Sequence, residues 1–255
     1  MGFYDMPKSS QEKPGKLKEN GIGTHRRHWS AVASRESAIR VCVREAFERA
    51  HARTKVERDG SAVTVSWAGG DVLKTCSVST GREILTAFPF IAGGIVHDVV
   101  VEAVDEWPDT VQGQVRGSIC GMRFAFFDTY YPVNRERYRT GRQYRFFLSA
   151  LAFRLKKTDD ERSSHHEIEY SPLEGGEIDE FVFRTVVRDV RECLSGYGKA
   201  YLVTAPLFRA TDGIREINIQ ICATESVTGG YVPAVGDRIS GALWLQGFML
   251  PRGGG

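Results

Sequence analysis

The feature that most constrains the fold is a repeat: the last two thirds of the chain contain two diverged copies of one β-rich pattern. In each copy, alternating valines are followed by a glycine-rich break, two apolar runs, a further glycine and a long closing segment. The closing segments align without a gap, so that Tyr144 corresponds to Ile239 and Phe153 to Phe248. Because a repeat constrains the architecture before any short motif does, the pattern predicts two β units of the same topology.

Tyrosine and glycine residues mark the approach to each closing segment, as Tyr138-x-x-Gly141 in the first copy and Tyr231 to Gly236 in the second. With the long alternating strand that opens each copy, this arrangement resembles the OB-fold, a five-stranded Greek-key barrel. The resemblance is to a fold and not to a family, so it implies no functional residue. We predict a mainly β chain of the α+β class, with an N-terminal helix and two related OB-like, Greek-key β-barrel units.

The whole chain divides by composition and periodicity. The predicted divisions are a flexible tail at 1–23, a helix plus small β layer at 24–95, a first barrel-like unit at 96–157, an acidic linker at 158–180 and a second barrel-like unit at 181–255. The tail has almost no apolar residues to bury, and the linker is too polar to bury.

The segment 24–95 combines helical and strand patterns. Apolar residues fall on one face of an amphipathic helix over 34–53, with Ser34 as the expected N-cap. The pair Asp59-Gly60 predicts a type I′ turn between two strands. Residues 81–96 stay open, because their apolar spacing suits a short helix that Pro89 would interrupt.

The formal net charge is only +2, but the charges are unevenly placed. Residues 123–157 hold nine basic and two acidic residues, a net +7, whereas residues 158–180 hold one basic and nine acidic residues, a net −8. Adjacent blocks of opposite sign can pair with each other or attract other molecules. The run His25-Arg-Arg-His28 is interpreted as part of a basic arm.

Cysteine placement and apolar run lengths bear on the compartment. The five cysteines include no C-x-x-C pair, which argues against a zinc ribbon or a disulfide framework and favours a reducing compartment. Charges interrupt every apolar run before the ~18 residues that a membrane-spanning helix needs. The polar N-terminus lacks the apolar core of a signal peptide. We therefore predict a cytoplasmic protein with no membrane partner.

The strongest candidate site is the segment 130–147, where arginines are interleaved with tyrosines. They are Arg135, Arg137, Arg139, Arg142 and Arg145, with Tyr130, Tyr131, Tyr138 and Tyr144. Single-stranded nucleic acid is bound by cations that follow the phosphates and by aromatic rings that stack on bases. Two alternatives remain open. Tyr138 and Tyr144 fill a barrel core while the arginines coat a loop, or the arginines pair with the acidic segment 158–180.

A second candidate is Trp244, with Gln246 beside it, in the closing segment of the second copy. Side chains alternate between the faces of a strand, so Trp244 and Gln246 face outward if Leu243 and Leu245 face the barrel interior. An outward tryptophan is typical of an interface, because it combines a large apolar area with a polar N–H group. The partner surface is then the other barrel, the N-terminal helix or another chain.

Other reactive residue types form no recognisable catalytic pattern. Adjacent His165 and His166 point to different sides of a strand, which does not suit one metal ion. Asp98 and Glu102 share a strand face, but the solvated face of an edge-accessible strand explains them better than acid–base chemistry does. The sequence contains neither a phosphate-binding glycine loop nor a nucleophile elbow. It therefore predicts no catalytic residue, no metal site and no cofactor.

These observations favour a non-catalytic binding or adaptor protein that docks protein partners in a multi-component assembly. The near-neutral total charge favours this role over nucleic-acid binding, because phosphate neutralisation supplies most non-specific affinity for nucleic acid. Two alternatives remain: a protein that binds single-stranded nucleic acid through residues 130–147, and a hydrolase whose carboxylates form no recognised motif.

Overall fold

The computed structural model describes residues 16–17, 25–33, 35–109, 111–158 and 168–251. Within the predicted tail, the described part is a two-residue strand. The expected N-cap Ser34 and the paired His165 and His166 lie outside the described residues.

The described elements are short helices and mostly long strands. The helices are α1 (Arg26–Ser30), α2 (Glu36–Glu48), α3 (Tyr131–Asn134) and α4 (Glu225–Thr228), and a 3-10 turn covers Arg135–Arg137. The strands are β1 (Lys16–Leu17), β2 (Ala52–Arg58), β3 (Ser61–Gly69), β4 (Leu73–Thr80), β5 (Glu83–Ile91), β6 (Ile95–Glu106), β7 (Gly113–Ile119), β8 (Met122–Asp128), β9 (Gln143–Lys157), β10 (Glu169–Pro172), β11 (Glu180–Val186), β12 (Asp189–Ser195), β13 (Gly198–Arg209), β14 (Glu216–Thr224) and β15 (Arg238–Met249).

The amphipathic pattern near the N-terminus forms α2, which confirms the predicted N-terminal helix. Ile39, Val43 and Ala46 are buried along one side of α2, which packs on β3 and β4. The helix ends at Glu48, earlier than predicted, because the chain joins the first sheet soon afterwards. The His51 amide already donates a 2.9 Å hydrogen bond to a carbonyl of β3.

Five strands form the first sheet, in the order β1-β5-β4-β3-β2. β2 and β3 form the predicted hairpin, and the turn residues Asp59 and Gly60 have φ values of 46° and 76°, as a type I′ turn requires. The alternative of a short helix within 81–96 is wrong, because β5 pairs with β4 along its whole length.

Ten strands form the second sheet, in the order β10-β11-β15-β8-β7-β6-β9-β14-β13-β12. An additional pairing between β15 and β9 closes five of these strands into a barrel, β6-β7-β8-β15-β9. From β9 the sheet continues through β14, β13 and β12, and from β15 it continues through β11 and β10. The prediction of a mainly β chain with an N-terminal helix is confirmed.

Two buried apolar clusters arise because neighbouring strand residues face opposite sides. Leu243 and Leu245 belong to the cluster inside the barrel, together with Phe126. Trp244 lies between them in sequence but belongs to the second cluster, where residues of the barrel meet Phe88 and other residues of the first sheet. β15 therefore contributes to both cores.

Candidate functional site

Tyr138 and Tyr144, from the predicted nucleic-acid segment, are buried inside the barrel core. The Tyr138 hydroxyl donates to Asp128 at 2.6 Å, and the Tyr144 hydroxyl donates to the Arg137 carbonyl at 2.6 Å. Burial raises the pKa of Asp128 to about 6, although the Tyr138 hydrogen bond opposes this shift. Both rings therefore fill the core, as the first alternative predicts, and neither offers a free face to a base.

Tyr130 and Tyr131 also make hydrogen bonds and packing contacts within the chain. Tyr131 is buried and donates to a Glu106 carboxylate oxygen at 2.8 Å. Tyr130 is half-buried, donates its hydroxyl to Thr54, and packs edge-on against Trp67 with ring centroids 5.4 Å apart. Stacking on bases would require these rings to leave their present neighbours.

The arginines of the same segment are more accessible than its tyrosines. Arg135 pairs with Glu106 at 2.8 Å, and Arg139 is exposed and donates to two nearby carbonyls. Arg142 and Arg145 are exposed at the start of β9. Nucleic-acid binding by this segment stays a prediction, in which the exposed arginines are the reachable groups.

The second alternative paired these arginines with the acidic segment 158–180. In the described part of that segment, two carboxylates form ion pairs with residues of other regions. Glu169 lies 3.7 Å from the Arg184 guanidinium, and Glu180 lies 2.5 Å from that of Arg27. The remaining acidic residues at 159–167 lie outside the described residues.

Trp244 and Gln246 are buried between the barrel and the first sheet. The Gln246 side chain accepts from the Ile91 amide at 3.1 Å and donates to the Pro89 carbonyl at 3.0 Å, both in β5. Trp244 packs edge-on against Phe88 of the same strand, with ring centroids 6.4 Å apart. The two candidates thus lie at an interface within this chain, and their role toward another chain stays a prediction.

Polar side chains are buried where the N-terminal segment, the β6–β7 loop and the start of β11 meet. This junction cluster consists of His25, His28, Gln112, Asp179, Glu180 and Trp244, each no more than 3% exposed. The Nδ1 atoms of the two histidines lie 2.8 Å apart. The interpretation of His25 and His28 as part of a basic arm is wrong, because both side chains are buried, His25 directly before α1 and His28 within it.

Asp179 and Glu180 end the predicted acidic linker, and their burial shows that the linker is not too polar to bury at this end. Asp179 accepts from the Trp244 indole N–H at 3.2 Å, and burial raises its pKa to about 7 against that hydrogen bond. Burial also acts to raise the pKa of Glu180, but hydrogen bonds and charges from His28 and Arg27 outweigh it and lower the pKa.

Sequence reasoning missed the junction cluster because its members are far apart in the chain. His28 and Glu180, for example, are separated by 152 positions yet lie 2.9 Å apart. The available signals were the i, i+3 spacing of the histidines and two carboxylates that directly precede an apolar strand. The cluster is closed to solvent, so it is not an open active site.

Two clefts flank α2. The first, of about 490 Å³, is lined by residues that include Cys42, Tyr197 and Lys199. The second, of about 620 Å³, lies beside the C-terminal end of α2 and contains Arg53, Lys55 and Arg82. Arg53 donates to two carbonyls at the end of α2, so its guanidinium satisfies carbonyl groups that have no partner within the helix. Burial raises the pKa of the Cys42 thiol, which disfavours the reactive thiolate.

Asp98 and Glu102, the carboxylates that share a strand face in the sequence, lie on the outer face of β6 together with Asp105. Glu102 pairs with Arg123 at 3.2 Å, and Asp105 pairs with Arg116 at 2.6 Å. Asp98 lies opposite Arg145 in the β6–β9 pairing. This arrangement is a ladder of surface charges rather than a cleft with a paired acid and base, so the hydrolase alternative gains no support.

The loop from Gly230 to Gly236, which we call the valine loop, exposes two apolar side chains. Val232 is 59% exposed and Val235 is 64% exposed. Asp237 holds the loop, because one carboxylate oxygen accepts from the Tyr231 hydroxyl at 2.6 Å and from the Ala234 amide at 3.0 Å. The valine–proline–alanine–valine run between glycines was the sequence signal, and it was not recognised as a site.

Comparison with known proteins gives no relationship: no family model, no curated protein and no solved structure matches this chain. Among the described residues, no three or more His, Cys, Asp or Glu side chains are grouped to hold a metal ion. The described helices are all too short or too polar to cross a membrane.

Proposed function

We propose that this protein is a non-catalytic adaptor whose two OB-like barrels form a rigid platform and whose valine loop docks a protein partner. The observation on which this proposal depends is the exposure of Val232 and Val235 on a loop that hydrogen bonds to Asp237 hold in place. Apolar side chains presented on an ordered loop lose little conformational entropy on binding, which favours association.

Strand connections support the proposal of two OB-like units. In the closed barrel, β8 runs parallel to β15, which belongs to the second copy. In the second copy, β14 runs parallel to β9, which belongs to the first. In the second copy, β11 pairs with β15 and the next strand, β12, pairs with β13. In the first copy, the single strand β6 makes both corresponding pairings, with β9 along its first half and with β7 along its second half. The proposed barrels therefore share β9 and β15.

The register between the shared strands also supports a common origin for the two units. Ala150 lies opposite Leu245, its counterpart in the gapless alignment of the copies. On either side, Leu148 lies opposite Gly247 and Ala152 lies opposite Leu243. This is the pairing that a twofold axis between Ala150 and Leu245 would produce.

Equivalent glycines provide a second point of agreement. The Gly141 amide donates to the Val101 carbonyl at 2.8 Å, and the Gly236 amide donates to the Val187 carbonyl at 2.9 Å. Gly141 and Gly236 both have positive φ, 78° and 87°, which side chains rarely tolerate. The two glycines thus make the same bond within their own copy, Gly141 to Val101 in β6 and Gly236 to Val187 directly after β11.

The valine loop occupies the place that the arginine-rich loop has in the first copy, so the two loops offer different chemistry at related positions. Exposed Arg139, Arg142 and Arg145 keep nucleic-acid binding as the second candidate. The outer face of β7 and β8 weighs against it, because Arg116 and Arg123 there are already paired with carboxylates. OB-folds that bind oligonucleotides use this face.

The test compares three versions of the full chain. In Val232→Asp/Val235→Asp the loop surface becomes charged. The control Ile214→Asp alters a side chain that is 83% exposed elsewhere. Proteins captured from an extract of the native cells are identified, purified and titrated against each version. A partner that binds the parent and the control, but binds the double variant about tenfold more weakly or not at all, supports the proposal.

Two results would contradict it. One is a purified partner whose affinity is unchanged by the double variant. The other is the failure of every captured protein to bind the parent after purification. Thermal unfolding of all three versions checks that the substitutions leave the fold intact, as expected for exposed side chains.

A further inference from the structure

At one end of the histidine pair in the junction cluster, the contacting atom can only accept a hydrogen bond. Glu180 Oε1 lies 2.9 Å from Nε2 of His28, while Glu180 Oε2 accepts from Arg27 at 2.5 Å. These contacts lower the pKa of Glu180 and keep it ionised, although burial acts in the opposite direction. His28 must therefore carry a hydrogen on Nε2.

At the other end, the contacting atom is also an acceptor. The Gln112 amide nitrogen donates to Asp109, which turns the carbonyl oxygen Oε1 of Gln112 toward His25 Nε2. The Thr86 hydroxyl donates to the same Oε1 at 3.2 Å, which agrees with this orientation. An amide oxygen cannot donate, so His25 must carry a hydrogen on Nε2.

The contact between the two histidine rings then decides the charge of the pair. The Nδ1 atoms of His25 and His28 are 2.8 Å apart, a distance that requires one hydrogen between them. Three ring hydrogens on two imidazoles make one imidazolium. We propose that His25 and His28 share a single extra proton, and that this proton holds the N-terminal segment 25–33 over Trp244 as a pH-sensitive latch.

A second extra proton would break the latch. It would place two N–H groups against each other at the central contact. Burial is the main cause that lowers the pKa of both His25 and His28, so it acts against the shared proton as well as against a second one, and the charge of His28 lowers the pKa of His25 further. The hydrogen bonds to Gln112 and Glu180 act in the opposite direction and favour the shared proton. Loss of the shared proton would instead leave one of the three hydrogen bonds without a hydrogen.

The charged groups around the pair come from several elements. Arg27 is on α1, Glu177 lies in the connection before β11, and Glu180 is the first residue of β11. Asp179 is bonded to Trp244, and Asp109 lies beyond Gln112. Burial raises the pKa of Asp179 to about 7, so this carboxyl titrates in the same pH range and must be removed as a variable.

Proton counting gives the expected pH dependence of opening. Released histidines have a pKa of about 6.5. Well below that pH, the two histidines of the open segment bind two extra protons, whereas the closed pair binds one. Well above that pH, the histidines of the open segment bind no extra proton, whereas the closed pair still binds one. Each proton of difference changes the opening equilibrium about tenfold per pH unit. Opening is therefore least populated near pH 6.5 and rises in both directions.

Hydrogen exchange of the backbone amides at 26–32 measures this opening between pH 5 and 8.5, after correction for intrinsic exchange. The experiment uses the full chain and Asp179→Asn, which removes the nearby carboxyl. We expect a V-shaped profile with slopes approaching tenfold per pH unit. A profile that is flat above pH 6.5 and rises toward a hundredfold per unit below it would mean a neutral pair and overturn the proposal. His51→Gln, which alters an exposed histidine, is the control and should leave the profile unchanged.

The shared proton has a direct signature that does not depend on a variant folding. In protein labelled with ¹⁵N-histidine, the pair should show three ring hydrogens and a coupling between the two Nδ1 nuclei at pH 6.5. Two ring hydrogens, or four, would reject the shared proton. His25→Gln/His28→Gln should abolish the V-shaped exchange profile; persistence of the profile in a folded double variant would also reject it.

Discussion

His28 stacks on Trp244 with ring centroids 3.6 Å apart and ring planes inclined by 13°. The neighbouring Trp29 on the same short helix is fully buried and donates its indole N–H to the Ala87 carbonyl of β5 at 3.1 Å. α1 therefore contacts the barrel through one aromatic side chain and the first sheet through the next. This helix joins the two layers more tightly than its five residues suggest.

Removing the Trp244 side chain should destabilise the isolated chain. Its surroundings are intramolecular, so we expect Trp244→Ala to lower the free energy of unfolding by about 3–5 kcal/mol, the usual cost of emptying a large aromatic site. Chemical denaturation measures the loss, and sedimentation of the same variant should show no change in association. A stable variant that loses self-association would contradict this prediction.

Trp244→Phe is the matched variant that separates packing from the polar contact. It keeps most of the ring volume but removes the N–H that Asp179 accepts at 3.2 Å. We expect a loss of about 1–3 kcal/mol, because a buried carboxyl is left with one partner fewer. Equal losses for the Phe and Ala variants would show that the hydrogen bond, rather than packing, dominates.

Asp179→Asn should stabilise the protein at alkaline pH. Burial raises the pKa of Asp179 from 3.8 to about 7, so the folded state binds more protons than the unfolded state between these values. Stability from this group is therefore present at low pH and lost as pH rises toward 7. At pH 8 we expect the variant to gain about 1–3 kcal/mol over the parent in urea denaturation. A gain that is the same at pH 5 and pH 8 would refute the assignment.

Local patterns in the sequence predicted the strands and their faces well. Alternation along β15 separates Leu243 and Leu245 from Trp244, and the structure has them in different cores. The Asp59-Gly60 turn followed from its two residues alone, because positive φ at both positions favours this pair. These features depend on neighbours in sequence, and a single chain is enough to predict them.

Features that depend on distant neighbours could not be predicted in this way. Glu180 looked like the end of a solvated acidic run, but its burial depends on His28 and Arg27 from another part of the chain. The sequence pattern suggested that the tyrosines of the arginine-rich segment could stack on bases. In the structure, Tyr138 is instead buried in the barrel core and donates a hydrogen bond to Asp128. Polar residues acquire their environment from tertiary contacts, which sequence spacing does not encode.

If single-stranded nucleic acid binds, its contacts should be to phosphate and not through stacking. Arg139→Ala/Arg142→Ala/Arg145→Ala should then reduce the slope of log affinity against log salt by about 2, since each single-strand phosphate contact contributes about 0.7. Tyr138→Phe should leave affinity unchanged, because the ring is buried. Fluorescence anisotropy with a labelled oligothymidine measures both. Stronger dependence on Tyr138 than on the arginines would contradict this prediction.

The sharing of strands predicts how fragments of the chain behave. A fragment of residues 95–158 contains β6, β7, β8 and β9 but lacks β15, which closes the barrel between β8 and β9. As a monomer it would expose two strand edges and part of an apolar core, so we expect no cooperative unfolding transition at low concentration. Because Ala150 lies opposite its counterpart Leu245 in the intact chain, two fragments could instead pair their β9 strands, and any folding should rise with concentration. Circular dichroism and sedimentation equilibrium across a hundredfold concentration range measure this.

A fragment that unfolds cooperatively as a monomer would show that the first unit needs no strand from the second, and the shared-strand arrangement would lose its support.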